Sequence, residues 1–546
     1  MMAGVPPRGR TATRNRSGRS APLVNSQTLR RRGCEMRLTR WCVLVGVLLV
    51  ALPAAGQWSP DDPLMPTGDS TTDTENLRLA LHDSRLDNGG TLYLGQGTFY
   101  VHGALGRQDF DPVSSTYNLT PFNGTIQGAG KDLTTIRAVK GPGGENFEPV
   151  IQPKLDPSDP ERINIYAVLM MVGSYIGLKD LTFDSEPELM WDPDNAKWLA
   201  PWRGHNAYGG RGPTLYVGAG SWEGGFELIG TDLINVRFKG TVDTDGSPTT
   251  GHLYQQWGDW GGVHNVKGCD AENSSNGAVQ FLYMTNATIN IGGSRREKVT
   301  FTNAHLTSVD TRCIDCNVNV AHIETHDAPG VFFSTFHGNT QSSVAVTHSR
   351  INPIPDSLVA GVEMWASSGE VSAVISNNKI HSEDSFPWGP IFIEGVSNGV
   401  ISANKFTGRG PSAIYLGVYE WSPGRFTLVG NNVQMWETTV NPWFLPAAPI
   451  WLGSFVTDST VVGGNSYSNV FDEPAYDTDW NPLFDEDGNP LTIPGYGGLI
   501  PPEEFGNLVP KNNVFTGVNN IQVHIGQDVR DAMQQRVEAK QLMMGR

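Results

Sequence analysis

The sequence predicts an all-β solenoid, a right-handed parallel β-helix in which short strands wind around one axis. The first observation is a repeat in which a short apolar strand precedes a polar turn residue and then an aliphatic or aromatic residue. The second is that the strands alternate with a period of two, which excludes a helical solenoid. The turn residue recurs at Ser349, Asn378, Asn404, Asn431 and Asn465, in steps of 29, 26, 27 and 34 residues.

Each unit also contains a second apolar strand, and two strands with turns between them let successive coils stack at ~4.8 Å. Alternation in this second strand directs every other residue to the core and the rest outward. The residues expected to point inward are Val331, Val362, Ile391, Ile414 and Ile450.

The repeated turn residue predicts an internal ladder. Asn tolerates the left-handed conformation at a turn, and its amide can hydrogen-bond the stacked Asn of the next coil. We therefore expect Asn378, Asn404 and Asn431 to stabilise the fold and to take no part in catalysis.

The two ends of the solenoid are predicted to carry helices. Thr72 and Glu75 have capping-box spacing, and Leu77, Ala80 and Leu81 then share one helical face. This helix would cap the first coil, and residues 526–546 would form a C-terminal helix after a β-helix of residues 57–525.

Segments near the amino end carry a family resemblance. They read NGGTLYLGQGTFY from Asn88, IQGAGK from Ile126, TIR from Thr135 and LKDLTF from Leu178. The chain resembles the pectate lyase-like superfamily of right-handed parallel β-helix proteins, and the resemblance implies the fold over most of the chain. That superfamily includes lyases, hydrolases, epimerases, tailspikes and inert surface proteins, so the resemblance implies no single reaction. The motif series typical of polygalacturonases and of pectate lyases do not occur in the sequence.

The amino terminus predicts export. Arg37 and Arg40 precede the apolar run Trp41 to Leu52 and a small-residue cleavage site before Gln57. Residues 36–56 thus resemble a signal peptide, and residues 1–35 a misassigned leader. We expect a secreted, periplasmic or cell-surface protein with no membrane span.

The net charge of the chain restricts the classes of partner that it can bind. The whole chain has a formal net charge of −17. Residues 1–56 hold ten Arg and one Glu, so the remainder carries 29 − 55 = −26. This excess of negative charge opposes nucleic acid and anionic membranes as partners.

Three cysteines follow the signal, and an exported protein favours one disulfide and one spare buried thiol among them. Cys313 and Cys316 have half of a zinc-site spacing, but no second half accompanies them. The third is Cys269.

The outward positions of the second strand carry the candidate glycan site. Aromatic residues at equivalent places in successive coils offer flat platforms for sugar rings, or else pack beneath a Trp-rich loop. The predicted catalytic pair, Glu363 and Glu394, would have backbones about 8 Å apart, compatible with an inverting glycosidase. The expected substrate-binding residues on this face are Trp365, Phe392, Tyr415 and Trp451, with Phe332 in the same column.

Two further groups are candidates. His326 and Asp327, near His322 and Glu324, would supply a general base or hold a cation such as Ca²⁺, unless they form an ordinary turn. Arg350, Lys379 and Lys405 follow the turn residue in successive coils, where a uronate chain could track them, although turn positions also accept solvated charges.

The sequence thus predicts a protein that degrades or modifies a polysaccharide, as a uronate lyase or a glycoside hydrolase. The alternative is an extracellular protein that only binds glycans or has a structural role. The glycan, any dependence on Ca²⁺ or another metal, and the oligomeric state stay open.

Overall fold

A computed structural model describes the chain from residue 58 onward, with gaps. The expected leader (1–35), signal peptide (36–56) and C-terminal helix (526–546) lie outside the described residues. These are 58–111, 116–145, 147, 150–151, 164–165, 167–185, 191–192, 197–198, 215–218, 229–242, 246, 248, 250–257, 261–335, 341–353, 361–366, 370–383, 390–409, 412–416, 424–436, 448–452, 460–461, 466–467, 473–474, 492–493, 514–515 and 523–525.

Three long parallel sheets confirm the predicted parallel β-helix, and each coil adds one strand to each sheet in turn. The first sheet contains Thr91–Tyr93, Phe122–Gln127, Leu169–Lys179, Gly230–Ile234, Val263–Lys267, Thr288–Gly292, Asn317–Ala321, Gln341–Thr347, Glu370–Ser376, Asn398–Ser402, Arg425–Val429, Thr460–Val461 and Val514–Phe515. The second contains Gly97–Val101, Thr134–Ala138, Thr182–Ser185, Arg237–Lys239, Asp270–Ser274, Val299–Ala304, Ile323–His326, Arg350–Ile351, Lys379–Glu383, Lys405–Arg409, Asn432–Trp436 and Ser466–Tyr467.

The third sheet carries the strands that the sequence analysis assigned to the glycan site. It contains Leu105–Gly106, the start of Leu169–Lys179, Leu215–Gly218, Tyr254–Trp257, Gly277–Thr285, Thr307–Ile314, Val331–Ser334, Val362–Trp365, Ile391–Glu394, Ser412–Leu416, Ala448–Leu452 and Val523–Ile525. Short antiparallel pairs lie outside the three sheets, formed by Gln108–Asp111 with Thr116–Leu119, Val150–Ile151 with Asn164–Ile165, Trp191–Asp192 with Lys197–Trp198, and Glu473–Pro474 with Thr492–Ile493.

The amino-terminal helix spans Ser70–Leu81 and is followed by a 3₁₀ turn at Ser84–Asp87. Leu77, Ala80 and Leu81 are buried in the core, as predicted. The predicted capping box is wrong, because Asp69 is the N-cap and its carboxylate accepts from the backbone N–H of Thr72. In the described part of the chain, no helix is long and apolar enough to cross a membrane.

The core is a continuous apolar column filled by the inward residues of all three sheets. Val331, Val362, Ile391, Ile414 and Ile450 belong to it, and all are fully buried. The alternation read from the sequence is therefore confirmed.

The corner between the first and second sheets is short and regular. Two residues form it in most described coils, as at Asn377–Asn378 and Ala403–Asn404. The first of the two adopts the left-handed conformation, with φ 58° at Asn377 and 54° at Ala403. The prediction that the ladder Asn itself takes this conformation is wrong, because the second corner residue must turn its side chain into the solenoid.

The predicted Asn ladder is present at this corner. The amide of Asn378 donates to Oδ1 of Asn404 at 3.1 Å, and the amide of Asn404 donates to Oδ1 of Asn431 at 3.0 Å. All three residues are buried. Cys269 occupies the same corner position in an earlier coil, where its thiol donates to the carbonyl of Leu233.

Candidate functional site on the third sheet

Long connections flank the third sheet and set it apart from the other two. Residues 186–214, 240–253, 352–361, 384–390 and 437–447 precede its strands, and residues 219–229, 335–340, 417–424 and 453–459 follow them. The connections between the first and second sheets have at most six residues in the described coils, whereas those beside the third sheet reach the length of the span 186–214. Long insertions in a compact fold commonly carry function. We therefore expect the functional site to lie on the third sheet.

The outer face of the third sheet is buried, whereas that of the first sheet meets solvent. In one coil the outward Glu363 is 7% exposed while the outward Val374 of the first sheet is 42% exposed. In the next coil Glu394 is 0% exposed while Val400 is 40% exposed. Outward carboxylates of the third sheet are thus buried, whereas outward valines of the first sheet are exposed. This is the reverse of what solvation favours. An arrangement this costly marks the covered face as the candidate site.

A hydrogen-bonded polar run occupies one half of this face. The amide of Gln255 donates to Oε1 of Gln280 at 2.9 Å, and the amide of Gln280 donates to Oδ2 of Asp310 at 2.9 Å. Arg312 donates to both oxygens of Asp310 at 3.2 and 3.1 Å, and its guanidinium lies 5.7 Å from the Phe332 ring centre. Burial, which lowers the pKa of Arg312, is outweighed by the attraction of Asp310, so this pKa is raised.

A β-bulge interrupts the strand beside Arg312. The register slips between Leu282 and Met284, and Tyr283 takes a left-handed φ of 58°. Bulges re-aim side chains, and a bulky residue in this conformation is strained. Tyr283 also interacts electrostatically with Arg312. The bulge thus brings a phenol near a guanidinium.

Aromatic rings and carboxylates occupy the other half of the face. The indole N–H of Trp365 donates to Oε1 of Glu363 at 2.5 Å, and the Trp365 and Phe392 ring centres lie 4.9 Å apart. Phe392 stacks on Tyr415 at 5.8 Å. Trp365 is paired with Glu394 in register, so Glu363 and Glu394 lie diagonally on adjacent strands.

Two of the aromatic residues are covered, which agrees with the alternative that they pack beneath another segment and not with an exposed platform. Phe392 is fully buried and Tyr415 is 1% exposed, whereas Phe332 and Trp365 are half-buried. Stacking between neighbouring rings and coverage of the whole face remove them from solvent. Trp451 is paired with Tyr415 in the register, but its side chain lies outside the described residues.

The other predicted residues lie on a different sheet. His326 ends the strand Ile323–His326 of the second sheet, 3.5 Å from Glu324, and Asp327 follows it with a left-handed φ of 49°. The structure therefore does not bring them together with Glu363 and Glu394. Arg350, Lys379 and Lys405 form a register column on the second sheet and are exposed.

The described residues contain no cluster of three or more His, Cys, Asp or Glu side chains suited to a metal ion. The expected disulfide is not formed, because Cys269, Cys313 and Cys316 are free and buried. Hydrogen bonding from Cys313 lowers the pKa of Cys316, whereas burial raises that of Cys313.

Sequence reasoning missed five parts of the site, namely Gln255, Gln280, Tyr283, Asp310 and Arg312. The signal that would have found them is the outward register of the third sheet, extended backwards from Phe332. That register was hidden because the sequence repeat is regular only from about residue 318 onward.

A comparison with protein-family models gives no match, and a comparison with curated protein sequences also gives none. Among solved structures, the A-module of a mannuronan C-5 epimerase from Azotobacter vinelandii is similar, with 15% identity, 73% of this chain, 96% of that chain and a TM-score of 0.37. The Dettilon tailspike protein matches with 13% identity over 69% of this chain and 60% of its own length, at a TM-score of 0.39. The catalytic unit of an alpha-1,3-glucanase from Streptomyces thermodiastaticus matches with 12% identity, 76% of this chain, 70% of that unit and a TM-score of 0.27.

Proposed function

We propose that the protein is a polysaccharide-active enzyme whose glycan lies lengthwise along the outer face of the third sheet. The observation that carries the proposal is the burial of Glu363 and Glu394 at outward positions whose first-sheet counterparts are solvent-exposed. Buried carboxylates are costly, and active sites are places where such groups are concentrated.

The shape of the face suits a long polymer. One register column runs through Gln255, Gln280, Asp310, Phe332, Glu363, Phe392 and Tyr415. Its six steps of ~4.8 Å span about 29 Å. Amides and a carboxylate at one end match sugar hydroxyls, while aromatic rings at the other match the apolar faces of sugar rings.

Glycoside hydrolysis is the reaction that this geometry supports best. One strand step and two residues separate Glu363 from Glu394, which places their backbones about 8 Å apart. A separation of roughly 6.5 to 9.5 Å between carboxyls admits the attacking water of an inverting glycosidase. One carboxyl would protonate the leaving oxygen and the other would activate the water. The Trp365 indole holds Glu363 in place for either role.

The test is incubation of the purified protein with a panel of polysaccharides, read by new reducing ends. Glu363→Gln and Glu394→Gln each should lower turnover by about 10² to 10⁴-fold, the contribution of a general acid or base. Binding should change little, because both variants keep the shape of the side chain. Glu370→Gln is the matched control, since Glu370 is an exposed carboxylate on the first sheet of the same coil as Glu363. Activity that survives in both Glu variants would refute the assignment.

A uronate lyase is the second candidate, and the bulge at Tyr283 favours it. A lyase must neutralise the substrate carboxylate and remove the adjacent ring proton, and Arg312 and Tyr283 are the cation and the base available on this face. Unsaturated products absorbing in the ultraviolet would appear only in this case. Arg312→Gln and Tyr283→Phe would then abolish them, while reducing ends without unsaturation identify hydrolysis.

A further inference from the structure

A basic corner lies between the first and second sheets, away from the third sheet. It combines three cations on the connection 293–298, which joins Gly292 to Val299, with the exposed column of the second sheet. We define the basic corner as Arg295, Arg296, Lys298, Arg350, Lys379 and Lys405.

Like charges stack within this corner. Arg350 is paired with Lys379, and Lys379 with Lys405, on three successive strands. Like charges directly opposite one another in a sheet are destabilising. The chain as a whole carries a net charge of −17, and yet no acidic residue separates Arg350, Lys379 and Lys405 in the column. Repulsion between these side chains therefore lowers the stability of the fold, and a bound anionic ligand would offset that loss.

Local acids neutralise only part of the corner. Glu324 contacts Lys298 at 2.5 Å and Arg350 at 3.9 Å. Among the described residues, Arg295, Arg296, Lys379 and Lys405 form no ion pair with any acid. The acid Glu297 on the connection 293–298 pairs with Lys267 at 3.2 Å and not with these four side chains, which therefore have no direct ion-pair partner in the described part of the chain.

Two stacked histidines extend the same edge. His322 and His348 are the left-handed corner residues of successive coils, and their ring centres lie 5.2 Å apart. Burial, followed by repulsion from His348 and Arg295, lowers the pKa of His322. Arg295 therefore lies close enough to His322 for the two charges to repel each other.

We propose that the basic corner is a second glycan-binding track, for an anionic polysaccharide that carries carboxylates along its length. Successive cations repeat at the strand spacing of ~4.8 Å along the solenoid axis, and a linear chain bearing one carboxylate on each sugar presents charge at a comparable repeat. This contrast rests on the proposed hydrolysis: for that reaction the third-sheet face suits a carboxylated chain less well, because Asp310, Glu363 and Glu394 outnumber Arg312 there. The corner would anchor the protein to an acidic matrix while the third sheet holds a different chain.

Nucleic acid is the competing anionic polymer. The net charge of −17 repels a polymer of such high charge density at long range. A polyuronate has a lower charge density, so the local attraction of the corner prevails.

The test is affinity electrophoresis of the whole protein in gels containing polygalacturonate, dextran, dextran sulfate or duplex DNA. Polygalacturonate should retard the protein and dextran should not. The triple variant R350Q/K379Q/K405Q should bind polygalacturonate at least 10-fold more weakly. The control K140Q/K239Q/R425Q removes the same number of positive charges elsewhere and should bind within 2-fold of the parent. The double variant R295Q/R296Q changes only the connection 293–298 and leaves the strands unaltered. It should also bind polygalacturonate more weakly than the parent.

Retention by the triple variant equal to that of the parent would overturn the proposal, as would equal retardation by dextran or no retardation by polygalacturonate. Binding to dextran sulfate alone, or tighter binding to DNA, would overturn the choice of a carboxylated chain. Glu363→Gln should leave this binding unchanged, and the triple variant should keep turnover on a neutral glycan. Failure at the corner is therefore distinguishable from failure of the proposed enzymatic function.

Discussion

Removing one side chain from the Asn ladder tests how the solenoid is held together. In Asn404→Ala, the carbonyl of Ile375 loses its amide donor at 2.9 Å, and the backbone N–H of Asn378 loses its acceptor at 3.0 Å. Two amide contacts within the ladder, to Asn378 and Asn431, also disappear. An orphaned buried partner costs roughly 1 to 3 kcal/mol, so two of them should lower the free energy of unfolding by about 2 to 6 kcal/mol.

Urea denaturation followed by circular dichroism measures this loss as a lower midpoint at an unchanged slope. Asn398→Ala is the matched control, because Asn398 lies in the same coil, is exposed and has no side-chain hydrogen bond in the structure. The control should stay within about 0.5 kcal/mol of the parent. Glycan binding should survive in Asn404→Ala. Equal midpoints for the two variants would refute the view that the ladder stabilises the fold.

Two other measurements address groups away from the ladder. Burial raises the pKa of the Cys269 thiol to about 12 and that of Cys313 well above its ordinary value, so neither thiol should react with a disulfide reagent at pH 8 until the chain unfolds; fast reaction of the native protein would contradict their burial. Because the pKa of His322 is lowered in the fold, the unfolded chain binds the proton more tightly, and stability is lost as pH falls below about 6.5. The melting temperature of His322→Gln should therefore fall less between pH 7.5 and 5.5 than that of the parent, and an equal fall in both would contradict this assignment.

The sequence predicted the fold because the fold is local and repetitive. Alternation identified the inward residues, such as Val362 and Ile391, and the spacing of Asn378, Asn404 and Asn431 identified the corner. Details that depend on geometry within a turn were missed. The left-handed residue precedes the Asn, and at His348 and Ala403 it is a residue type that gives no such signal. The N-cap of the first helix is Asp69 and not the predicted Thr72, because capping also depends on the geometry of a turn.

The candidate site was only partly predictable. Period-two alternation identifies which side of a strand a residue faces, and this correctly paired Glu363 with Phe392 and Phe392 with Tyr415. Alternation carries no information on whether an outward face is covered, because coverage comes from distant segments of the chain. The polar half of the face was missed because the sequence repeat that reveals the register is regular only from about residue 318 onward, after Gln255, Gln280 and Asp310.

The short corner between the first and second sheets has a consequence for how such a chain can vary. Two residues join the first sheet to the second in most of the described coils, whereas the connections beside the third sheet range from two residues to the span 186–214. Sequence can therefore be inserted or exchanged beside the third sheet without altering the pitch of the coil, since the ladder at the opposite corner keeps each coil in place. A segment such as 384–390 could be transplanted from a related solenoid as a unit. The corner keeps the spacing of the coils while the connections beside the third sheet can vary, which makes this protein a suitable scaffold for testing the proposed glycan specificity by loop exchange.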